Sequence, residues 1–199
     1  MFVDLVAGFL VGFSFILVIG PQNAYVLRCG IKRNYILPVC LVCSISDGLL
    51  IVIGVSGGSK IVETMPLLKN FLRFGGALFL FYYGAKALFS AWKGGGTLTP
   101  KGESYNFLNT ILTCLALTWL NPHVYIDTIL LLGSLAHQFG SPLSFSVGAI
   151  LASFVFFFSL GYFAVLLSPL FLKPQVWQIL DVVIAIIMWT TCYHLIVKQ

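Results

Sequence analysis

The sequence predicts an all-α integral membrane protein of six transmembrane helices, arranged as two inverted three-helix repeats with the first helix of each repeat broken at a proline. Three observations carry that prediction. Of 199 residues, 59% are hydrophobic and 9% charged, with a mean hydropathy of +1.02, whereas an ordinary soluble domain is about 25% charged. The long apolar runs are interrupted twice, about half a chain apart, at Gly20-Pro21-Gln22-Asn23-Ala24-Tyr25 and at Asn121-Pro122-His123-Val124-Tyr125-Ile126-Asp127. Between these lies a stretch rich in glycine and charge, Lys93-Gly94-Gly95-Gly96-Thr97-Leu98-Thr99-Pro100-Lys101-Gly102-Glu103.

At about 20 residues per span, the chain holds six spans and no sizeable soluble domain. Apolar runs place the helices at 4–27 (interrupted at Gly20-Pro21), 36–58, 70–92, 107–136 (interrupted at Asn121-Pro122), 142–168 and 175–197. The first has no basic residues before it, runs on too far for a signal peptide and lacks a small-residue cleavage site, so it is expected to remain as a helix. The second and third complete a first repeat over 1–92, the loop covers 93–106, and the last three helices form a second repeat over 107–199, the whole being a single transmembrane domain. Three is odd, so similarly folded halves cross the membrane in opposite directions, as in many secondary transporters. Connections after the odd-numbered helices carry Arg28, Lys32, Arg33, Lys93, Lys101 and Lys173, against Lys60, Lys69, Arg73 and Lys198 on the other side. That bias places both termini outside the cytoplasm. It also accounts for the net charge of +5 without nucleic acid, because the cations form no stripe.

A helix break in lipid leaves backbone N–H and C=O groups unpaired at several kcal/mol apiece, so it persists only inside protein or beside a polar cavity. Asn121 before Pro122 is a helix-start signature: Asn caps orphan N–H groups, and proline suits the first helical position. The new N-terminus near mid-membrane carries partial positive charge and free donors, which suits a carboxylate. Gly20-Pro21 repeats the device, with Gln22 and Asn23 as side-chain partners. The competing reading is a proline kink healed by its neighbours. Pro21, Gln22, Asn23, Asn121, Pro122 and Tyr125 are therefore the candidate substrate-binding residues.

Asp47 lies in the middle of the second helix and Asp127 just over one turn beyond Pro122. A charged Asp at the bilayer centre costs roughly 2.5 to 3.5 kcal/mol on insertion scales, so such residues face the bundle interior and mark an ion or substrate path. These two are candidates for ion or proton coupling or for meeting substrate charge, the competing role being a structural pairing with Arg28 or Lys86. Asp4 and Asp181, nearer predicted helix ends, are expected at the interface or in solvent.

Five cysteines, most of them within apolar runs, imply no disulfide framework. Cys40 and Cys43 have the spacing of a thiol pair, but the residues between are purely apolar and the other half has no matching pair, so helix packing is the expectation. His123, His137 and His194 lie on separate segments without metal-ligand spacing. No catalytic residue, cofactor or metal is expected. Gly8 and Gly12, and Gly54 and Gly58, are four apart and are read as close helix contacts.

At its two breaks the chain resembles the LysE/ArgO family of bacterial basic amino acid exporters. Gly20-Pro21-Gln22-Asn23-Ala24-Tyr25-Val26-Leu27-Arg28 is similar to the family's first-helix signature, and Asn121-Pro122-His123-Val124-Tyr125-Ile126-Asp127-Thr128 differs from the segment typical of lysine and arginine exporters by Ile for Leu at 126. Asp47-Gly48-Leu49-Leu50-Ile51 is similar to its second-helix acidic segment, with Gly48 where a larger apolar residue is expected. The resemblance spans the chain. It implies a multi-pass protein of the bacterial cytoplasmic membrane, exporting lysine, arginine or their analogues on an ion gradient, most simply the proton gradient.

The expected partners are thus a small amino acid substrate and membrane lipid, with no nucleic acid and with a homo-oligomer left open. A neutral amino acid exporter and a metal or ion transporter on a related fold stay open as alternatives. A membrane thiol oxidoreductase also stays open, and it would require reactive Cys40 and Cys43.

Overall fold

A computed structural model describes residues 1–17, 20–58, 66–93 and 106–197, and among these every regular element is helical. In order they are α1 (Phe2–Ile16), α2 (Pro21–Ile31), α3 (Ile36–Ile53), α4 (Pro66–Trp92), α5 (Phe107–Trp119), α6 (Pro122–Ala136), α7 (Pro142–Leu167) and α8 (Pro174–Val197). The glycine-rich segment that separates the two predicted repeats lies, apart from Lys93, outside the described residues.

Local chemistry sets the helix starts. Proline stands in the first turn of α2, α6 and α7, where its missing N–H is not needed. Asn106 opens α5 by accepting from the Leu108 N–H at 3.0 Å, and Ser141 opens α7 by accepting from Ser144 at 3.3 Å. Two stretches widen to π-type turns, Gly54–Gly58 after α3 and Ile126–Leu132 within α6. Such turns are frequent at functional sites.

Three stretches, Ile36–Gly57, Pro142–Leu170 and Pro174–Val197, are long and apolar enough to cross a membrane, and α1 with α2 and α5 with α6 qualify as bent pairs, the second bent by 57°. That makes three to five spans by length and composition. α4, with 27 residues, is not among them and carries Lys69, Arg73 and Lys86. Outward faces are apolar: Leu10, Leu78 and Leu166 are all more than 60% exposed. Side chains of this kind belong against lipid.

Small residues decide the tightest contact. α1 lies along α7, and a Cβ on Gly8 would collide with the Phe145 carbonyl, one on Gly148 with the Leu5 carbonyl, and one on Gly12 would stand 3.0 Å from Ala149. The expected close approach at Gly54 also occurs, against the Ile129 backbone. Gly48 is buried, and a Cβ there would meet Ile150 at an ordinary 3.6 Å, so this departure from the family pattern leaves α3 and α7 packed without strain. α4 lies along α8, where Arg73 donates to the carbonyls of Leu195 (2.9 Å) and Ile196 (2.6 Å). These are last-turn acceptors that the helix itself leaves unpaired.

The structure corrects the reading of Asp181. Its side chain is fully buried in α8, Oδ2 accepts from the Ser90 hydroxyl at 2.7 Å, and Oδ1 lies 3.3 Å from Arg28 Nη1. The reason is tertiary: the start of α8 packs beneath the end of α2 and beside the end of α4, so nearness to a helix end in sequence does not bring water. Arg28 is therefore a pairing partner within α2 and not a loop charge, and it serves Asp181 rather than Asp47 or Asp127. Asp4 pairs with the N-terminal ammonium at 3.0 Å.

All five cysteines are buried. Cys40 Sγ points at the Phe157 carbonyl (3.2 Å), and Cys43 Sγ lies 3.2 Å from Cys114 across α3 and α5. The first contact is helix packing, as expected. The second supplies Cys43 with a cysteine neighbour that its spacing in sequence does not show.

Candidate functional site

α2 begins at Gly20, whose extended backbone (φ −104°, ψ −178°) leads into Pro21. Glycine has no side chain with which to cap the first turn. Gln22 follows, buried, and its Nε2 has no hydrogen-bond partner. Asn23 instead donates from Nδ2 to the Ile16 carbonyl at 2.8 Å, satisfying an acceptor at the end of α1. The second break uses the same repair with different residues: the Tyr125 hydroxyl donates to the Trp119 carbonyl at 2.7 Å, back across the bend. Here, however, the helix start is capped, because Asn121 Oδ1 accepts from the His123 N–H at 3.2 Å. The two breaks are alike in construction and unlike in what they leave open.

One cavity of about 280 Å³ joins them. Gly20, Pro21, Gln22 and Asn23 line it from the first break, and Asn121, His123, Val124, Asp127 and Thr128 from the second. Its volume, just under the usual range for drug-sized ligands, suits a single small solute. α3 contributes Asp47 and Ile51, α7 Ser153 and Phe157, and α8 Thr190, Thr191 and His194.

Asp47 is 4% exposed, and its Oδ1 is without a hydrogen bond. The Gln22 amide lies beside it. Gln22 Nε2 and Asp47 Oδ1 each lack a hydrogen bond, and as a buried donor and acceptor side by side on a cavity wall they can turn to each other or to a ligand. Asp127 lines the same cavity from the π-type turn of α6, half-buried.

Of the residues the sequence singled out, Pro21, Gln22, Asn23, Asn121, Asp47 and Asp127 come together on this cavity. Pro122 and Tyr125 are not among its lining residues; they shape the bend behind it. Sequence reasoning missed His123 and His194 as neighbours of one space, and missed Thr190 and Thr191. A signal was present, since Thr190, Thr191 and His194 fall at i, i+1 and i+4 and so share a helix face. Nothing in the sequence said which way that face points.

The LysE type translocator model matches residues 13–199. A protein of Aeromonas salmonicida named "Putative amino-acid transporter YggA" is 41% identical over 191 residues, covering 94% of this chain and 93% of its own. The "Arginine exporter protein ArgO" of Yersinia enterocolitica is 38% identical over the same length and shares. No solved structure matches the chain significantly. With matches of this extent over a helical, lipid-facing bundle, the chain belongs to the LysE type translocator family: it is a multi-pass transport protein for a small molecule and not an enzyme.

Proposed function

We infer that this protein is a secondary-active exporter of basic amino acids, lysine, arginine or analogues, across the bacterial cytoplasmic membrane, driven by the proton gradient. The observation that carries the reading is the shared cavity, which combines an uncapped helix start, the unpartnered Gln22 Nε2, and two carboxylates, Asp47 and Asp127. The start of α2 offers N–H donors and partial positive charge to the substrate α-carboxylate. Asp47 and Asp127 meet its cationic groups or carry protons in their place. Membership of the family, and a relative named for arginine export, support the choice of a cationic substrate.

The same reading takes the bent pairs α1–α2 and α5–α6 as the first helix of each inverted repeat and α4 as the sixth span. Support comes from the way the halves interlock: α1 and α2 pack on α7, α5 and α6 pack on α3, and the pairs α3–α7 and α4–α8 join like to like. A two-fold axis in the membrane plane would generate that pattern. Moving a cation outward against about 100 mV, inside negative, costs about 2.3 kcal/mol. Exchange for one proton cancels the charge and leaves the pH gradient as drive.

The test is efflux of a panel of radiolabelled amino acids from loaded vesicles. Lysine and arginine should leave fastest, and their exit should acidify the lumen and quicken when the outside is made more acidic. Equal efflux of a neutral isostere would replace the reading with a neutral amino acid exporter.

A further inference from the structure

α2 carries its cavity residues at one end and Arg28 at the other, about 9 Å further along the axis. α8 repeats this geometry in reverse, with Asp181 in its second turn and Thr190 on the cavity about 13 Å beyond. Among the described residues, Arg28–Asp181 is the one ion pair between helices. Between it and the cavity the bundle is solid: Val26, Ile184, Ala185 and Met188 are all at most 1% exposed. The remaining cations at this end of α2 reach the same wall. Lys32 Nζ stands 5.3 Å over the Trp177 ring, and Arg33 donates to the Ser168 hydroxyl at 3.1 Å.

We propose that Arg28 and Asp181, with Ser90, form the gate that shuts the cavity toward the membrane face where α2 ends, and that the pair parts once in each transport cycle. The proposal rests on the exporter reading only for the solute that passes. The two partners are unequally enclosed: Arg28 keeps 18% of its side chain exposed while Asp181 keeps none. In the opening step Arg28 moves away with α2 while Ser90 keeps its hydrogen bond to the acid. The contacts that would have to open on this face include Arg28 with Asp181 of α8 and with Tyr83 of α4, and Arg33 with Ser168 after α7. The contacts that fix the other end of α8, Arg73 on its terminal carbonyls, need not move.

The experiment joins the two helices reversibly. In the Arg28→Cys/Asp181→Cys protein, a short bifunctional thiosulfonate should abolish at least nine-tenths of arginine efflux, and reductant should restore it, with each single variant insensitive. Efflux continuing unchanged through the cross-link would overturn the gate. Should the double variant fail to reach the membrane, Asp181→Asn keeps the shape and removes the charge: a cysteine placed at Thr191 should then react with an impermeant thiol reagent added on the α2 C-terminal side, and should not in the parent. Equal labelling in both backgrounds would overturn the proposal. This second arm needs no transported solute, so failure of the basic amino acid reading, with neither lysine nor arginine moved by the parent protein, is told apart from failure of the gate.

Discussion

Replacing Asp47 with Asn tests the site at its least compensated atom. The substitution preserves volume, and among the described residues no cation lies within ion-pair reach of Asp47, whose polar neighbour is the Gln22 amide. The protein should therefore insert and fold as before. What disappears is the charge available to the substrate's ammonium or to a proton. A hydrogen bond to a charged group is worth about 1.5 to 3 kcal/mol net. At about 1.4 kcal/mol per factor of ten, that predicts a loss of roughly 10- to 150-fold in transport. The assay is efflux of radiolabelled arginine and lysine from loaded vesicles, normalised to membrane protein by immunoblot, over a range of pH. A group meeting substrate charge should lose discrimination between lysine and a neutral isostere; a proton carrier should lose the pH dependence of exchange. Wild-type efflux with unchanged pH dependence would refute the reasoning and make the unpartnered carboxylate a structural feature.

Asp127→Asn should also reduce efflux at least about tenfold by the same argument, read in the same vesicles. Gly148→Leu drives a side chain into the Leu5 backbone and should destabilise the bundle by about 1–3 kcal/mol or more, lowering its thermal midpoint in detergent, whereas Gly75→Leu, at a position open within 4 Å, should not. Arg73→Ala removes two donors from the terminal carbonyls of α8; faster amide hydrogen exchange in its last turn, with the first turns unchanged, is the expected result. Because all five cysteines are buried, an impermeant maleimide should leave efflux untouched, and full inhibition through Cys40 or Cys43 would revive the thiol chemistry their spacing allows.

Much of the molecule is written locally. Apolar runs long enough for lipid, prolines where helices start, and caps such as Asn121 act over a few residues, so the sequence alone determined the helical membrane class, the helix positions to within a few residues, and the two segments that carry the family likeness. The residues around Pro21 and Pro122 could be singled out for the same reason: a break in an apolar run is visible wherever it folds. Partnership is another matter, because it depends on which helix faces which. Only the tertiary structure decided that Arg28 answers Asp181, 153 positions away in the chain, that Tyr125 mends a bend instead of lining the cavity, and that α8 brings Thr190, Thr191 and His194 to a wall opposite the breaks. A helix that is apolar nearly all round hides its orientation from any pattern in sequence. The rotation of α8 is fixed by contacts such as Trp189 against Gly84 and the buried Trp177 near Lys32, and with that rotation go the burial of Asp181 and the shape of the site.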